Sequence, residues 1–269
     1  MHSFTQLIIL ITMRRLYALI PHREILTNLV LRNLRVRYKG SVLGFFWAFL
    51  NPLLTMLVFY IVFSRVIKIQ IKQYPLFLLS ALLPWTCFAA SLTDAAGCII
   101  DNANLVKKVY FPREILPISY VLSNFINFLF SLAILLPILV ICRLPHPGFI
   151  YFLPMILAIH VLFTAGLALF FSCANVYFRD VGQMLNVLLM FWFYLTPVVY
   201  PLEMVPQKFY HLYQLNPMAL VVGMYRRVLF SGEAPGAISL AGALLAAGAA
   251  LLIGHFIFTR CKSGLSKEL

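Results

Sequence analysis

Long apolar segments separated by short polar ones dominate the pattern along this chain. A helix needs roughly 20 mostly apolar residues to cross a hydrocarbon core of about 30 Å. Six stretches meet that need, at about 44 to 64, 75 to 96, 117 to 142, 149 to 173, 183 to 200 and 237 to 258. They are too long and continuous for barrel strands, which alternate apolar and polar positions. The pattern therefore predicts an all-α integral membrane protein with six transmembrane helices in a domain over 44–258.

Residues 23 to 39 have a helical period but carry too much charge to span a bilayer. Five polar residues fall within about 80° of one another on a helical wheel: Glu24, Asn28, Arg32, Arg35 and Lys39. We expect an amphipathic helix along the inner leaflet. Four further polar residues interrupt its apolar face: Arg23, Thr27, Asn33 and Arg37. A solvated basic arm is the alternative.

Basic residues predict the orientation of the chain. Seven of them precede the first span, which places segment 1–43 in the cytoplasm. With six spans the tail, 259–269, is then cytoplasmic too. The apolar run at 7–11 is short, and its arginines follow it, so we expect no cleaved signal peptide. Gly40 and Gly44 allow a turn into the first span, where Asn51-Pro52 predicts a break or kink.

The inner loop between spans 2 and 3, residues 101 to 117, has the pattern of a short helix. Asp101 or Asn102 can cap its start, and Pro112 can end it. Its i,i+4 apolar pairs are Leu105 with Val109 and Val106 with Tyr110. A helix this short needs a surface to rest on. The loop is therefore either a membrane-surface element or a docking element for a cytosolic partner.

The outer segment after span 5, about 197 to 236, is too rich in proline and polar residues to span, yet too apolar for a solvated loop. Short helices that re-enter the outer leaflet would satisfy both facts. The same interpretation accounts for Arg226 and Arg227 on the outer side. In span 6 a small residue recurs at every fourth position, which favours close packing of a neighbouring helix: Gly242, Ala246, Ala250 and Gly254.

Composition narrows the chemistry. The chain is 62% hydrophobic, and its net charge of +13 sits beside apolar runs, which indicates membrane lipid and not nucleic acid as its partner. There is no GxxxxGK[ST], GxSxG, HExxH or GxGxxG motif. The five cysteines are scattered, so neither disulfides nor a metal site are expected. Asp94 is the one acid inside a predicted span, and His160 lies mid-span as either a functional or a hydrogen-bonded packing group. We expect no catalytic residue and no cofactor on this chain.

Aromatic residues are numerous, with 24 Phe, 13 Tyr and 3 Trp. Spans 1 and 5 carry more of them than interfacial belts require. A pyranose offers an apolar face for stacking and hydroxyls at its rim, so such rings suit a passage for a sugar chain. Lipid-facing packing is the alternative for any single ring.

Five segments in order resemble the ABC-2 type permeases that export polysaccharides, with the closest likeness to O-antigen, capsule and teichoic-acid permease subunits. They are RYKGSVLGFFWAFLNPLL from Arg37, NLVKKVYFPREILPI, VYFRDVGQ, TPVVYP and LNP. The resemblance covers about residues 25 to 260. It implies a homodimer that binds two copies of a separate cytosolic ABC ATPase, which carries ATP and Mg. It further implies export of an undecaprenyl-diphosphate-linked polysaccharide across the bacterial cytoplasmic membrane.

The resemblance also implies roles for particular residues. The interface helix would include Arg32, Arg35, Arg37, Tyr38 and Lys39. The ATPase-coupling helix would comprise Asn102, Asn104, Leu105, Val106, Lys107, Lys108, Val109 and Tyr110. The channel aromatics would be Phe45, Phe46, Trp47, Phe49, Phe59, Tyr60, Phe191, Trp192 and Tyr194. The outer gate would include Tyr200, Pro201, Asn216, Pro217, Arg226 and Arg227.

Two alternatives to glycan export stay open from the sequence. One is an ABC-2 type exporter of a drug or small lipid. The other, from a different class, is a membrane enzyme that acts on polyprenyl-linked sugars. Such an enzyme would need clustered acids or a metal site at the membrane edge, and the sequence offers neither.

Overall fold

The computed structural model describes residues 22–41, 43–66, 71–109, 111–142 and 147–261, and within these ranges the chain forms helices and turns without a strand. Its α-helices, in chain order, are α1 (Arg23–Tyr38), α2 (Trp47–Phe59), α3 (Tyr74–Asp101), α4 (Ala103–Lys108), α5 (Ile115–Ile141), α6 (Leu153–Tyr177), α7 (Val181–Leu195), α8 (Tyr210–Leu215), α9 (Pro217–Arg226) and α10 (Ala237–Cys261). Short 3₁₀ turns occur at Gly44–Phe46, Pro147–Phe152, Leu202–Met204 and Gln207–Phe209, and π turns at Tyr60–Val66 and Arg227–Ser231. The all-helical prediction is confirmed for the described residues.

Four helical segments are long and apolar enough to cross a membrane: Tyr74–Asp101, Ile115–Ile141, Phe149–Tyr177 and Ala237–Cys261. They coincide with predicted spans 2, 3, 4 and 6. The regions of spans 1 and 5 form shorter apolar helices, Phe49–Ser64 and Val181–Leu195. Fifteen helical residues extend only about 22 Å, which is less than the hydrocarbon core of about 30 Å.

Two sequence predictions about the short helices are wrong in detail. Span 5 was expected to reach residue 200, but α7 ends at Leu195, because Pro197 disfavours helical geometry at the residue before it. The break that Asn51-Pro52 allowed does not occur, since α2 is continuous through Pro52, and the kink stays a prediction. Proline removes a single backbone donor there, and the irregularity of this segment lies later, in the π turn Tyr60–Val66.

The turn into α2 follows the prediction. Gly40 and Gly44 have φ angles of +78° and +48°, which glycine adopts without the steric penalty that a Cβ brings. The interface helix α1 is thereby separated from α2 and lies against the side of α5.

Helix α3 is the centre of the fold. Most of its large side chains are buried, and it packs against α2, α5, α6, α7 and α9. A smaller apolar cluster near the C-terminal end of α3 joins α1 and α4 to α5, α6 and α10. Because α1 and α4 meet in this second cluster, the predicted interface helix and the predicted docking helix are attached to the same end of the helix bundle.

The small-residue stripe of α10 packs as predicted at its C-terminal half. A Cβ placed on Gly254 would lie 1.9 Å from the carbonyl oxygen of Gly166 in α6, and one on Gly166 would lie 2.4 Å from the carbonyl carbon of Ala250. The backbones of α6 and α10 therefore approach too closely for any side chain at either glycine. Gly242 instead faces Leu220 of α9.

Candidate functional site

Helix α1 is held on the bundle by both faces of its amphipathic pattern. Leu29 and Val30 are buried, while two of the four polar residues that interrupt the apolar face make hydrogen bonds to α5. Asn33 donates to Ser119 Oγ at 3.3 Å, and Arg37 donates to Asn124 Oδ1 at 2.5 Å. Arg35 and Lys39 remain exposed. These two interruptions in the pattern are thus contacts with α5.

Arg37, Asp94 and Asn124 form a closed polar cluster between α1, α3 and α5. The guanidinium of Arg37 forms an ion pair with the carboxylate of Asp94, and Asn124 Nδ2 donates to the same carboxylate at 2.8 Å. Asp94, the one acid inside a predicted span, is therefore paired. Its partner comes from a helix outside the spans, so no spacing along one helix could reveal it.

The predicted coupling helix exists but is shorter than expected. Helix α4 comprises Ala103–Lys108, and Tyr110 lies outside the described residues. It ends before Val109, whose backbone is extended, and Pro112 therefore does not terminate it. Val109 is exposed, so the expected apolar pair with Leu105 does not form a buried face.

Asn102 occupies the cap position of α4 but does not cap it with its side chain. Its Oδ1 accepts a hydrogen bond from Arg32 of α1 at 2.6 Å, and its Nδ2 donates to the carbonyl of Cys98 at 2.7 Å. The side chain is engaged by these partners and is unavailable for the amide groups of the first turn. A direct polar contact therefore joins the predicted interface helix to the predicted docking helix.

One face of α4 is packed and the other is open. Val106 is buried, and Leu105 packs against the same small cluster. Four residues on the opposite side are exposed, and these are Asn104, Lys107, Lys108 and Val109. The exposed face combines two positive charges with one apolar side chain, which suits recognition of an acidic or mixed protein surface.

The candidate channel aromatics separate into exposed and packed groups; the side chain of Phe45 lies outside the described ones. The exposed group consists of Phe46, Trp47, Phe191 and Tyr194. Among the packed ones, Phe49 is buried against Phe46, and Phe59 stacks on Phe193 at 5.8 Å. Tyr60 packs against the main core. Trp192 lies edge-on to Phe88 at 5.2 Å between ring centroids.

The outer segment 196–231 folds into short helices that are organised by Asn216. Its Oδ1 accepts from the amides of Met218 and Ala219 and from Trp192 Nε1, while its Nδ2 donates to Leu195 O and Thr196 Oγ1 at 3.1 Å. Asn216 caps α9, with Pro217 at its first position. One side chain thus ties the end of α7 to the start of α9.

Arg226 fastens the other end of α9 to the TPVVYP turn. Its guanidinium donates to the carbonyls of Pro197 and Val198, each at 2.8 Å, and lies 3.7 Å from the ring centroid of Phe77. Burial lowers the pKa of Arg226 to about 9, so the side chain stays charged at pH 7. The adjacent Arg227 instead forms an exposed ion pair with Glu233 at 3.2 Å.

The remaining predicted gate residues, Tyr200 and Pro201, lie within this segment. Tyr200 donates to the carbonyl of Tyr194 at 2.6 Å and lies 2.8 Å from the hydroxyl of Tyr213. Pro201 directly precedes the short turn Leu202–Met204. The gate candidates are thus brought together at one end of the bundle, around the end of α7.

His160 is fully buried in the core. Its Nδ1 lies 3.3 Å from the hydroxyl of Tyr225, and its ring packs edge-on against Phe125 and Phe128. These contacts favour the packing interpretation of His160. No cluster of three or more His, Cys, Asp or Glu that could hold a metal occurs in the part of the chain that the structure describes.

Comparison with known proteins places these elements in a family. The pattern of the ABC-2 type transporter membrane domain matches residues 25–230. The chain belongs to the ABC-2 type transporter family. It is 36% identical over 226 residues to the O-antigen export system permease protein RfbA of Myxococcus xanthus, covering 83% of this chain and 86% of the relative. A Klebsiella pneumoniae protein of the same name is 34% identical, with 78% and 81% covered.

A more distant relative extends this set. The polysialic acid transport protein KpsM of Escherichia coli is 24% identical, with coverage of 79% of this chain and 83% of the relative. The ABC-2 match begins inside α1 and ends in the π turn after α9. It therefore includes the interface helix, α4 and the segment 196–231. As an ABC-2 type protein with apolar helices of spanning length, the chain is a multi-pass membrane transport subunit.

Two functional contacts escaped the sequence analysis. The pairing of Asp94 with Arg37 crosses 57 residues of chain, and the stacking of Arg226 on Phe77 joins α9 to α3. In the sequence, both contacts were indicated only by single charged residues inside or beside apolar segments. An unpaired charge in a membrane raises the free energy, so such a residue needs a partner. That signal marks a residue as needing a partner without identifying it.

Proposed function

We propose that this chain is the permease subunit of an ATP-driven ABC transporter that exports a polysaccharide as an undecaprenyl-diphosphate-linked glycan. The observation that carries the proposal is the identity of 34% to 36% with O-antigen export permeases over 81% to 86% of their length. The aligned region covers most of each relative, so it includes the membrane helices and also the segments that connect them. A drug or small-lipid exporter is disfavoured because the relatives that share this extent are named for glycan export.

The proposed topology has six spans with both termini in the cytoplasm. Four spans are long helices, and the short helices α2 and α7 supply the other two. The region after α7 supports this assignment, because 196–231 is attached to the near ends of α3 and α7, where Arg226 stacks on Phe77 and Asn216 donates to the carbonyl of Leu195. Short covered helices at this position extend the protein to the outer surface, where α7 alone is too short.

Energy is proposed to come from a separate ABC ATPase that docks on α4 and α1. The exposed face of α4, with Lys107 and Lys108, is the proposed contact. Movement there would reach α1 through the hydrogen bond of Arg32 to Asn102 and would reach α3 and α5 through Arg37. The sequence has no phosphate-binding loop of its own, which agrees with a partner as the source of ATP hydrolysis.

The glycan path is proposed to lie between two copies of the chain. Each glycan hydroxyl left unpaired in hydrocarbon costs several kcal/mol, so a protein-lined route is required. The exposed aromatics of α2 and α7, among them Trp47, Phe191 and Tyr194, are candidates for its lining. Six helices of a single copy are too few to enclose a glycan-wide passage, which makes a homodimer the simplest arrangement.

Deletion of the gene tests the proposed function. In the host, completed lipid-linked glycan should accumulate inside the cell, and the surface should lose it. Complementation with the unaltered chain should restore surface glycan, whereas Lys107→Glu combined with Lys108→Glu should restore protein in the membrane without export. Normal surface glycan in the deletion strain, measured by surface labelling and extraction, would reject the proposal.

A further inference from the structure

A cavity of about 580 Å³ lies between α1, α2, α3 and α5 and opens to the surface of the chain. Its volume is within the range of small-molecule sites, about 300 to 1,000 Å³. Its wall is mostly apolar, with polar side chains set into it. Arg37 and Tyr38 of α1 contribute to this wall, as do Trp47, Asn51 and Thr86.

The cavity extends from the level of α1 into the membrane region. Asp94, the partner of Arg37, is near one end, while Thr86 and Leu83 line the cavity farther along α3. Eleven residues separate Leu83 from Asp94, which corresponds to about 16 Å of helix. That is roughly half the thickness of a hydrocarbon core of about 30 Å. A group bound here would therefore sit between the membrane surface and the bilayer centre.

The charge of the cavity indicates what it can hold. Among its described lining residues Arg37 is the one with a full charge, and that charge is paired with Asp94. Burial raises the pKa of Tyr38, so its hydroxyl is neutral at pH 7. A phosphate would need an uncommitted cation or several free donors. The lining therefore favours an uncharged ligand over an anionic one.

Amides and hydroxyls supply the remaining polar surface. Asn51 and Thr86 come from facing helices, and Asn124 and Ser131 come from α5. Asn127 also lines the cavity, but its amide atoms are covered by protein. The side chain of Asn51 is exposed, and the Thr86 hydroxyl, which donates to the carbonyl of Leu83, can still accept a hydrogen bond. A ligand rich in hydroxyl groups offers both the donors and the acceptors that these two side chains can use.

An aromatic surface completes the cavity. Trp47 is 44% exposed, and Phe128 of α5 also lines the cavity. An indole ring beside the neutral side chains of Asn51 and Thr86 matches a sugar, which has an apolar C–H face and a rim of hydroxyl groups. A lipid chain would match the aromatic surface but would offer no hydrogen bond to Asn51 or Thr86.

We propose that this cavity binds one or two uncharged sugar residues of the exported glycan inside a single copy of the chain. The proposal rests on the proposed function, because it places the sugars of a lipid-linked glycan at the membrane level where their lipid anchor holds them. The site would select substrates by the identity of these sugars. It would be distinct from the proposed aromatic passage between two copies of the chain.

Binding of soluble sugars to the full-length chain in lipid nanodiscs tests the site. Saturation-transfer difference NMR would be recorded with glucose, galactose, mannose and N-acetylglucosamine, and with the 1-phosphate of each. At least one neutral sugar should bind, and its phosphate should bind no more tightly. Asp94→Asn frees Arg37 and should raise affinity for the phosphate relative to the neutral form.

Two threonines provide a matched comparison. Thr86 and Thr55 each donate to a carbonyl of their own helix, at 2.9 Å and 3.0 Å, but only Thr86 is among the lining residues. Thr86→Val should weaken sugar binding about fivefold, as expected for one hydrogen bond, and Thr55→Val should leave it unchanged. Asn51→Leu, which also replaces a lining amide, should weaken binding at least as much as Thr86→Val.

Several results would overturn the site. These are no binding of any neutral sugar, equal binding by the Thr86→Val and Thr55→Val chains, or tighter binding of sugar phosphates to the unaltered chain. Each can occur while gene deletion still traps glycan inside the cell. Failure of the cavity assignment is thus distinguishable from failure of the proposed function.

Discussion

The two ends of this molecule are stabilised in different ways. At the end that carries α1 and α4, the polar contacts are partly exposed, and one face of α4 is open. At the other end, the segment 196–231 is held by Asn216 and by Arg226, a largely buried cation bonded to two carbonyls. Exposed ion pairs contribute little to stability, whereas buried charged hydrogen bonds contribute more and are costly to break. The end with α1 and α4 is therefore suited to shift when a partner binds. The segment 196–231 is suited to keep its internal contacts and to move as one rigid unit.

Loss of Arg226 should have the largest effect on stability. Arg226→Ala leaves two carbonyls without their donor and removes the stacking on Phe77, which should lower the free energy of unfolding by about 3 kcal/mol. Thermal unfolding of the purified chain in detergent measures this loss. Arg227→Ala is the matched control, because the neighbouring arginine forms only an exposed ion pair. Equal losses in the two variants would contradict the buried anchor.

Removal of the Asn216 side chain should come second. Asn216→Ala deletes the cap of α9 and the contacts to Leu195, Thr196 and Trp192, with an expected cost of about 2 kcal/mol. Asn216→Asp, which keeps the acceptor, should retain the cap and lose less. The same unfolding measurement ranks the two variants. If Asp costs more than Ala, capping is not the main contribution of this residue.

The pair Arg37 and Asp94 should contribute less to stability and more to function. Arg37→Asp should reduce export strongly while it lowers the free energy of unfolding by about 1 kcal/mol or less, because both side chains are partly exposed. The exchanged pair, Arg37→Asp with Asp94→Arg, should regain part of the export. A double-mutant cycle measures the coupling between the two residues. If the exchanged pair regains no export, the loss of export in the single variants comes from contacts other than the ion pair.

The smallest effect on stability is expected on the open face of α4. Lys107→Glu with Lys108→Glu should leave the melting temperature unchanged and should abolish ATP-driven export by the assembled transporter. Lys208→Glu, an exposed lysine of the outer segment, is the control and should export normally. Leu105→Asp should instead destabilise the chain, because Leu105 packs inward. Normal export by the double lysine variant would remove the docking assignment.

The long helical spans and the turn before α2 were predictable because each depends on residues that are close together in the sequence. Apolar length predicted spans 2, 3, 4 and 6, and glycines predicted the turn before α2. Residue spacing also predicted the close approach along Ala250 and Gly254, but it did not identify Gly166 as the partner. The end of α7 at Leu195 was missed, although Pro197 carried the signal.

The sites were less predictable than the fold. Asn33 and Arg37 are polar residues on the apolar face of an amphipathic helix. The sequence alone does not show whether such a residue weakens the helix's contact with the bundle or makes a hydrogen bond across it. Asn216 and Arg226 were selected as gate residues by resemblance, but their partners lie on other helices. The interpretation of Asn102 as a capping residue was wrong because Arg32 competes for its side chain.

The amino-acid sequence by itself determined that this is an all-helical membrane protein, where its long spans lie, and which family it resembles. Those properties depend on neighbouring residues, through apolar length, helical period and turn-forming residues. The tertiary structure alone decided which polar residues pair, which aromatic rings are packed and which are exposed, and that a partly polar cavity exists between four helices. These properties depend on residues far apart in the chain, because hydrogen bonds and cavities form between helices whose relative positions no local pattern specifies.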